Sequence, residues 1–376
     1  MSKVDGDTQH TFIVRRDQLS EFRLVTQPRA ALADGTVELS VDRFAFTANN
    51  ITYGVVGDLA GYWKFFPTGV DEFGCLPVWG FGTVTRSKHA DVREGERFFG
   101  YYPMATHLVA TPGKVGGAGF TETSPHRAQL PGIYNRYART TADPAYRPEE
   151  EPLLMLYRPL FMTAFFIDDF LFENACFGAE VVVFASASSK TAYSTAFLLS
   201  ERRKQGARIQ SVGLTSRANR AFLEELGVYD EIVEYDAIDS ITARPAVYFD
   251  MAGSGSVTAA VHERFGAQLV KSFMVGSTHW NAGRGTAGAL PGPEPEWFLA
   301  APIIEQRTKE LGQQVLQQRL GSAWQGFTAR LRAPGSEWLT VVEARGPAAV
   351  EQLYAAAIAG RLLPQEGHIL SLFSAP

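Results

Sequence analysis

Cysteine is scarce in this chain: Cys75 and Cys176 are the only two among 376 residues. Two thiols cannot build a disulfide framework or a four-thiolate zinc site, and their scarcity fits a reducing compartment. A long apolar run free of charge is missing as well. The most apolar window, Leu153 to Phe172, carries Arg158, Pro159, Asp168 and Asp169, which argues against a membrane span. The opening Met1-Ser-Lys-Val-Asp-Gly-Asp7 is polar and lacks the apolar core of a signal peptide. Positive charge is not in excess: a net charge of −5 speaks against nucleic acid as the main partner. Internal repeats and low-complexity tracts are absent too. The expectation is a soluble, cytoplasmic protein, long enough for two domains with cores of their own.

The most informative stretch present is Val181-Val-Val-Phe-Ala-Ser-Ala-Ser-Ser-Lys-Thr-Ala192. It reads as a buried strand, a turn of small residues and the start of a helix. Such a junction lets phosphate approach the first N–H groups of a helix, where the dipole favours negative charge. The expected fingerprint is G-x-G-x-x-G, or A-x-x-G-x-x-G in relatives. Here Ser186, Ser189 and Ala192 stand at the corresponding positions, so the turn lacks its glycines. The hydroxyls of Ser186, Ser188, Ser189 and Thr191 and the ammonium of Lys190 are candidate pyrophosphate ligands. Side chains at these positions also crowd the backbone, and the two effects oppose each other.

Around this stretch the texture of the chain changes twice. The first ~110 residues are rich in short strand-like runs such as Val37–Val41, Pro77–Thr85 and Gly95–Gly100. Thr111 to Glu151 is polar and rich in Gly, Pro and Thr, and suggests a long surface excursion whose Arg136, Tyr137 and Arg139 are solvated or, alternatively, cover the substrate. Strands and helices then alternate, the sign of a parallel sheet. Strands are predicted at Glu180–Phe184, Ala207–Thr215, Glu231–Tyr235, Ala246–Asp250 and Gln268–Val275. Helices are predicted at 191–204, Ala218–Leu226 and Ser256–Phe265. Beyond residue 300 the pattern predicts helices at Ala301–Leu320, Ala323–Leu331 and 347–360. A final strand, Gly367–Leu372, could return to the first domain.

The ends of the predicted parallel strands carry the remaining candidates. Leu214-Thr-Ser-Arg217, with Arg220 one turn later, lies where an adenosine ribose would sit. No Asp or Glu occurs between Gly213 and Ala221, so Thr215, Ser216, Arg217 and Arg220 favour the 2′-phosphate of NADP over the free hydroxyls of NAD. Helix capping by Ser216 and solvated arginines are the bland reading of the same residues. Gly253, in Asp250-Met-Ala-Gly253, and Gly276, Ser277 and His279, in Val275-Gly-Ser-Thr-His279, end two further strands. The first three are candidate cofactor contacts, and His279 is a candidate for the substrate pocket.

These motifs together resemble the medium-chain dehydrogenase/reductases of the zinc-independent, quinone-oxidoreductase-like type. Leu76-Pro-Val-Trp-Gly-Phe-Gly-Thr-Val84 is similar to that family's P-x-x-G-x-E-x-x-G-x-V stretch, and Val92-Arg-Glu-Gly-Glu-Arg-Phe-Phe-Gly100 to its v-G-D-R-V-x-G segment. Thr163-Ala164, Leu214-Thr-Ser-Arg217 with Leu226-Gly227, and Tyr248-Phe-Asp250 follow in the family's order. The resemblance implies an α/β protein in two parts. One is a chaperonin-10-like, β-rich catalytic domain (1–155 and 300–376). The other is a Rossmann doubly wound parallel-sheet domain (156–299).

It also implies a homodimer, NADP(H) as cofactor and a small, apolar or aromatic substrate. Where zinc-dependent relatives carry a catalytic cysteine, this chain has Phe44-Ala-Phe-Thr-Ala-Asn-Asn50, so no metal is expected. Tyr53, Asn50 and Thr52 fall on the segment that lines the substrate side of the nicotinamide, and Tyr62 and Trp63 follow in the same loop. The expected activity is reduction of an α,β-unsaturated carbonyl or quinone. A non-redox enzyme on the same scaffold, or a nucleotide-binding protein without turnover, is the alternative raised by the glycine-free turn.

Overall fold

Strand-length runs with one apolar face begin the chain and settle its first architecture. The structure, a computed structural model, describes residues 7–143, 146–276, 289–336 and 338–374. It divides into two units: Met1–Leu156 with Val341–Leu362 and Glu366–Pro376, and Tyr157–Thr340 with Leu363–Gln365. The first opens with β1 (Thr8–Arg15), β2 (Phe22–Pro28) and β3 (Val37–Phe46), followed by helix α1 (Ala48–Val55). Then come β4 (Phe73–Gly74), β5 (Pro77–Ser87), β6 (Arg97–Pro103) and β7 (His107–Ala110). β1 pairs with β2 and β4 in a small antiparallel sheet, while β3, β5 and β6 form the middle of a larger one.

The Thr111–Glu151 stretch is not the surface excursion expected from its composition. It supplies β8 (Pro112–Gly116), β9 (Gly119–Glu122) and β10 (Arg136–Arg139), which extend the large sheet beyond β6. Tyr137 is buried rather than solvated, and its hydroxyl donates to the carbonyl of Tyr101. Two glycines, Gly119 within the stretch and Gly100 on β6, make room for this packing. A Cβ on Gly119, at φ +134°, would stand 1.9 Å from the Tyr137 carbonyl oxygen, and one on Gly100 would meet the Tyr137 ring at 2.6 Å. Arg139 reaches the Gly116 carbonyl at 2.9 Å and Glu96 at 3.3 Å, and only Arg136 is exposed as expected.

Helix α2 (Glu151–Glu173) contains the apolar window, and its two internal acids explain why that window is not a span. Asp168 pairs with Arg202 at 2.7 Å and Asp169 with Arg307 at 2.6 Å. Among the described residues no helix is long and apolar enough to cross a membrane.

The second unit is built on β11 (Val181–Ala185), β12 (Gln210–Thr215), β13 (Glu231–Glu234), β14 (Ala246–Asp250), β15 (Leu269–Met274) and β16 (Glu296–Trp297). All pair in parallel, in the order β13-β12-β11-β14-β15-β16. Every residue of β11 and β14 is buried, as a parallel sheet covered on both faces requires. The covering helices include α3 (Lys190–Lys204), α4 (Arg220–Leu226) and α5 (Gly255–Phe265). The chain runs outward from β11 to β13, then returns to β14. The crevice at the carboxyl ends of β11 and β14 is therefore the topological switch point.

The helical segment after residue 300 breaks earlier than its pattern suggested. α6 (Ala300–Leu311) and α7 (Gln313–Leu331) are separated by Gly312 at φ +79°, and Arg307 ties α6 to Asp169 and Glu173 of α2. Both helices belong to the second unit, and the chain returns to the first near Val341. β17 (Thr340–Arg345), α8 (Pro347–Ile358) and β18 (Glu366–Ser371) make that return. β18 lies antiparallel to β3, with Ile369 opposite Ala45, and Tyr354 of α8 donates to the Leu19 carbonyl at 2.8 Å.

One buried carboxylate anchors the large sheet. Glu38 of β3 is fully buried, ion-paired to Arg29 and Arg86 and hydrogen-bonded by Thr85 at 2.9 Å. Burial alone would raise its pKa, but the hydrogen bonds from Arg86, Arg29 and Thr85 outweigh that and hold it at about 2. The folded pKa lies below the unfolded value near 4.5. The stability it contributes is therefore present above pH 4.5 and lost as pH falls toward 2. Glu38→Gln is expected to cost about 3 kcal/mol at pH 7, near the low end for removing one partner of a buried pair because the arginines still reach solvent. Urea melts from pH 7 to pH 2 should show the difference between the two proteins shrinking below pH 4.5.

Candidate functional site

The second unit places the glycine-free turn at the switch point, where β11 ends and α3 begins. Its backbone takes the shape a glycine usually supplies. Ser186 has φ +50°, in the left-handed region that costs a residue with a Cβ about 1–2 kcal/mol. Three side chains brace the turn. The Ser186 N–H donates to the Tyr235 hydroxyl at 3.0 Å, the Tyr229 hydroxyl donates to the Ala187 carbonyl at 2.8 Å, and Asn219 Nδ2 donates to Ser188 Oγ at 3.1 Å. Ser189 is the N-cap of α3, its hydroxyl accepting from the Ala192 N–H at 3.4 Å. Thr191 lies in the first turn of the helix. Lys190 sends its ammonium to the Pro364 carbonyl at 3.1 Å.

Space for the turn comes from the neighbouring strand. A Cβ on Gly213 of β12 would stand 2.9 Å from the Ala187 Cβ and 3.1 Å from the Tyr229 ring. At the carboxyl end of the same strand the Thr215 hydroxyl is buried without a hydrogen-bond partner among the described residues. Ser216 is half-buried and precedes a short 3-10 turn, with the Asn219 N–H bonded to its carbonyl at 3.0 Å.

Arg217 is 85% exposed and lies 3.2 Å from Glu234. Arg220 lies 2.9 Å from Glu224 and 3.9 Å from Glu234, and also donates to the Ile232 carbonyl at 3.2 Å. The strand-end sequence contained no acid, but the adjacent strand β13 brings one. An exposed ion pair of this kind is worth under about 1 kcal/mol, so Arg217 can exchange it for a stronger anion.

The ends of β14 and β15 are held differently. Asp250 Oδ1 accepts from the N–H groups of Ala252 at 2.8 Å and Gly253 at 2.9 Å, and Oδ2 from Thr258 Oγ1 at 3.3 Å. Asp250 is thus the brace of the turn that carries Gly253 at φ +69° into α5. A Cβ on Gly276 would stand 2.9 Å from the Met251 carbonyl. A cavity of about 520 Å³ opens here, lined by Asp250, Gly253, Thr258 and Met274 among others. Ser277 and His279 lie outside the described residues.

A dinucleotide suits this constellation. An orphaned hydroxyl at Thr215, a cradle opened by Gly213, a capped helix N-terminus and an exchangeable Arg217 all stand at carboxyl ends of parallel strands.

The first unit gathers its candidates around α1. Tyr53 is buried, its hydroxyl accepting from Trp79 Nε1 at 3.4 Å, with Tyr62 4.3 Å away ring to ring and Tyr101 at 5.9 Å. Burial, with the neighbouring Tyr62, raises the Tyr53 pKa and keeps the phenol protonated. Tyr62 shares a hydrogen bond with the Tyr134 hydroxyl at 3.1 Å.

Asn50 and Thr52 both hydrogen-bond to main-chain groups. Asn50 Oδ1 accepts from the Thr47 N–H at 2.7 Å and Nδ2 donates to the Pro77 carbonyl at 2.9 Å, while Thr52 bonds the Ala48 carbonyl at 3.4 Å. Trp63 is a packing wedge: a Cβ on Gly57 would lie 2.2 Å from its ring nitrogen and one on Gly74 2.3 Å from its ring. Sequence reasoning missed Trp79, Tyr229, Tyr235 and Glu234. Tyr235 was within reach, since it directly follows a parallel strand and such ends line the crevice.

Gly213→Ala should push Ala187 and Tyr229 apart, destabilising the protein by about 1–3 kcal/mol, as overpacking does. Chemical denaturation would measure it. The same change at Gly326, which faces open space in the middle of α7, should instead stabilise the protein by up to about 1 kcal/mol.

The two-part α/β fold is similar to that of several solved structures. CurA from Vibrio vulnificus in complex with NADPH is 14% identical, with 98% of this chain and 100% of that one aligned at a TM-score of 0.62. The quinone oxidoreductase from Coxiella burnetii is 12% identical (97% and 99% aligned, TM-score 0.53). A mutant form of enoyl thioester reductase from Candida tropicalis is also 12% identical (97% and 99%, TM-score 0.54). No curated protein matches the sequence. A family model described as "Protein of unknown function (DUF2855)" matches residues 44–362, most of the length, and the chain belongs to that family.

Proposed function

We propose that the protein is an NADPH-dependent, zinc-free oxidoreductase that reduces an α,β-unsaturated carbonyl compound or a quinone. The observation that carries this reading is the braced turn at the switch point, with Thr215, Ser216, Arg217 and Arg220 at the end of the next strand. NADPH-complexed CurA shares this fold over nearly its whole length, and the quinone and enoyl thioester reductases share it too. The Ser186–Thr191 turn would hold the pyrophosphate, with Ser188 and Ser189 contributing hydroxyls. Arg217, Arg220, Ser216 and Thr215 would hold the 2′-phosphate side, and the backbone at Gly253 and Gly276 would allow close approach. When bound, NADPH supplies the hydride that such a reduction needs.

The first unit by itself gathers residues suited to proton donation around α1. Tyr53 accepts a hydrogen bond from Trp79 Nε1, which leaves its own O–H proton to give. A phenol kept protonated by burial can hydrogen-bond a substrate carbonyl and stabilise the negative charge that develops on its oxygen. Asn50 fixes the helix from which Tyr53 projects, and Thr52 supports the same turn. Phe65, Tyr62, Tyr101 and Tyr134 give the site an apolar, aromatic wall. The metal-free reading is supported by the cysteines. Both are buried, and two thiols cannot build a four-thiolate site. A cytoplasmic homodimer completes the proposal.

Titration with NADPH and NADH, followed by nicotinamide fluorescence, tests the reading first. NADPH should bind at micromolar Kd and NADH more weakly. Arg217→Ala should weaken NADPH about tenfold, the value of one lost charged hydrogen bond, and leave NADH unchanged. Tyr53→Phe should lower kcat toward an enone or quinone by about 10²-fold or more at unchanged NADPH affinity. Absence of binding by either nucleotide would remove the redox reading and favour non-redox chemistry on this scaffold.

A further inference from the structure

Serine occupies the one position of the turn where the backbone is left-handed, and the structure surrounds that position with donors and acceptors from outside the turn. Three consecutive residues are each gripped at a different atom: the N–H of Ser186 by Tyr235, the carbonyl of Ala187 by Tyr229 and the hydroxyl of Ser188 by Asn219. The grips come from three separate places in the chain. Asn219 precedes α4, Tyr229 lies between α4 and β13, and Tyr235 directly follows β13. Gly213 on the strand between them leaves the space in which the Tyr229 ring and Ala187 meet. The turn is further closed by the Ala187 N–H on the Leu214 carbonyl at 3.0 Å and the Ser189 N–H on the Ser186 carbonyl at 2.8 Å.

We infer that Tyr235, Tyr229 and Asn219 are positioning residues that hold a serine turn in the conformation glycine would otherwise adopt unaided, so that it receives the pyrophosphate. This rests on the cofactor reading above. Glycine enters the left-handed region without a Cβ penalty, whereas serine needs outside contacts that over-determine the shape. Both phenols are engaged through hydroxyls directed at the turn's own main chain. Their assigned part is to preset the loop, not to touch the ligand.

A rescue experiment on the full-length protein decides this. Tyr235→Phe and Tyr229→Phe keep the rings and remove only the hydroxyls. Each is expected to raise the NADPH Kd about tenfold and to lower the Tm of the nucleotide-free protein by about 2–4 °C. Adding Ser186→Gly to either variant should recover most of both losses, while Ser186→Gly alone should be near neutral. Losses that persist undiminished in the Ser186→Gly background would overturn the inference, since they would mark contacts made to the ligand or packing unrelated to the turn's shape. Tighter binding by Tyr235→Phe would overturn it as well, by showing that the phenol occupies the ligand's place. Should the unmodified protein bind no NADPH, the cofactor reading fails separately. The Tm cycle then still decides whether the phenols hold the serine turn.

Discussion

The hydrogen bond from the Ser186 N–H to the Tyr235 hydroxyl is the contact on which the second unit's site depends. A parallel sheet creates a crevice at its switch point as a matter of topology, but a crevice binds phosphate only if the first loop turns tightly into its helix. Here that loop contains no glycine, so the tight turn must be made by serine at positive φ and offset by contacts from other segments. Tyr229, Asn219 and the gap at Gly213 are arranged around that requirement. Glu234, the residue before Tyr235, pairs with Arg217 at the end of β12.

The first unit meets a related problem with aromatic rings. Its sheet buries many phenols, and a buried hydroxyl must find a partner or cost free energy. Tyr53 is bonded by Trp79, Tyr62 by Tyr134, Tyr137 by the Tyr101 carbonyl and Tyr102 by the Phe98 carbonyl. Burial keeps each of these phenols protonated, which is the state a proton donor needs. The charged counterpart is the cluster at Glu38, together with Arg97, which joins Asp42 to Glu151. These ion pairs join β3 to β5 and β6, and β6 to the start of α2.

Much of the second unit was legible in the chain because its signals are local. Runs such as Val181–Phe184 and Ala246–Asp250 are apolar nearly throughout, and only a strand covered on both faces wants that pattern. The observed strand bounds differ from the expected ones by a few residues at most. The Thr111–Glu151 stretch was misread because its turn-like composition hides strands β8, β9 and β10, whose pairing brings Gly119 against the Tyr137 carbonyl. The helices beyond residue 300 fall in the second unit, and the contact that fastens them there is not local in sequence. Arg307 finds Asp169 and Glu173 across more than a hundred residues, and no local pattern announces that pairing.

Sequence alone determined the parallel sheet, the missing glycines of the turn and the arginines where a 2′-phosphate would sit, since periodicity and residue type are written along the chain. Tertiary structure decided what those features mean. It supplied Tyr229, Tyr235 and Asn219 to brace the serine turn, set Glu234 beside Arg217, turned Asn50 and Trp63 to structural use and kept Tyr53 bonded to Trp79. Each of these is a contact between segments distant in the chain, fixed only when the strands take their order in the sheet.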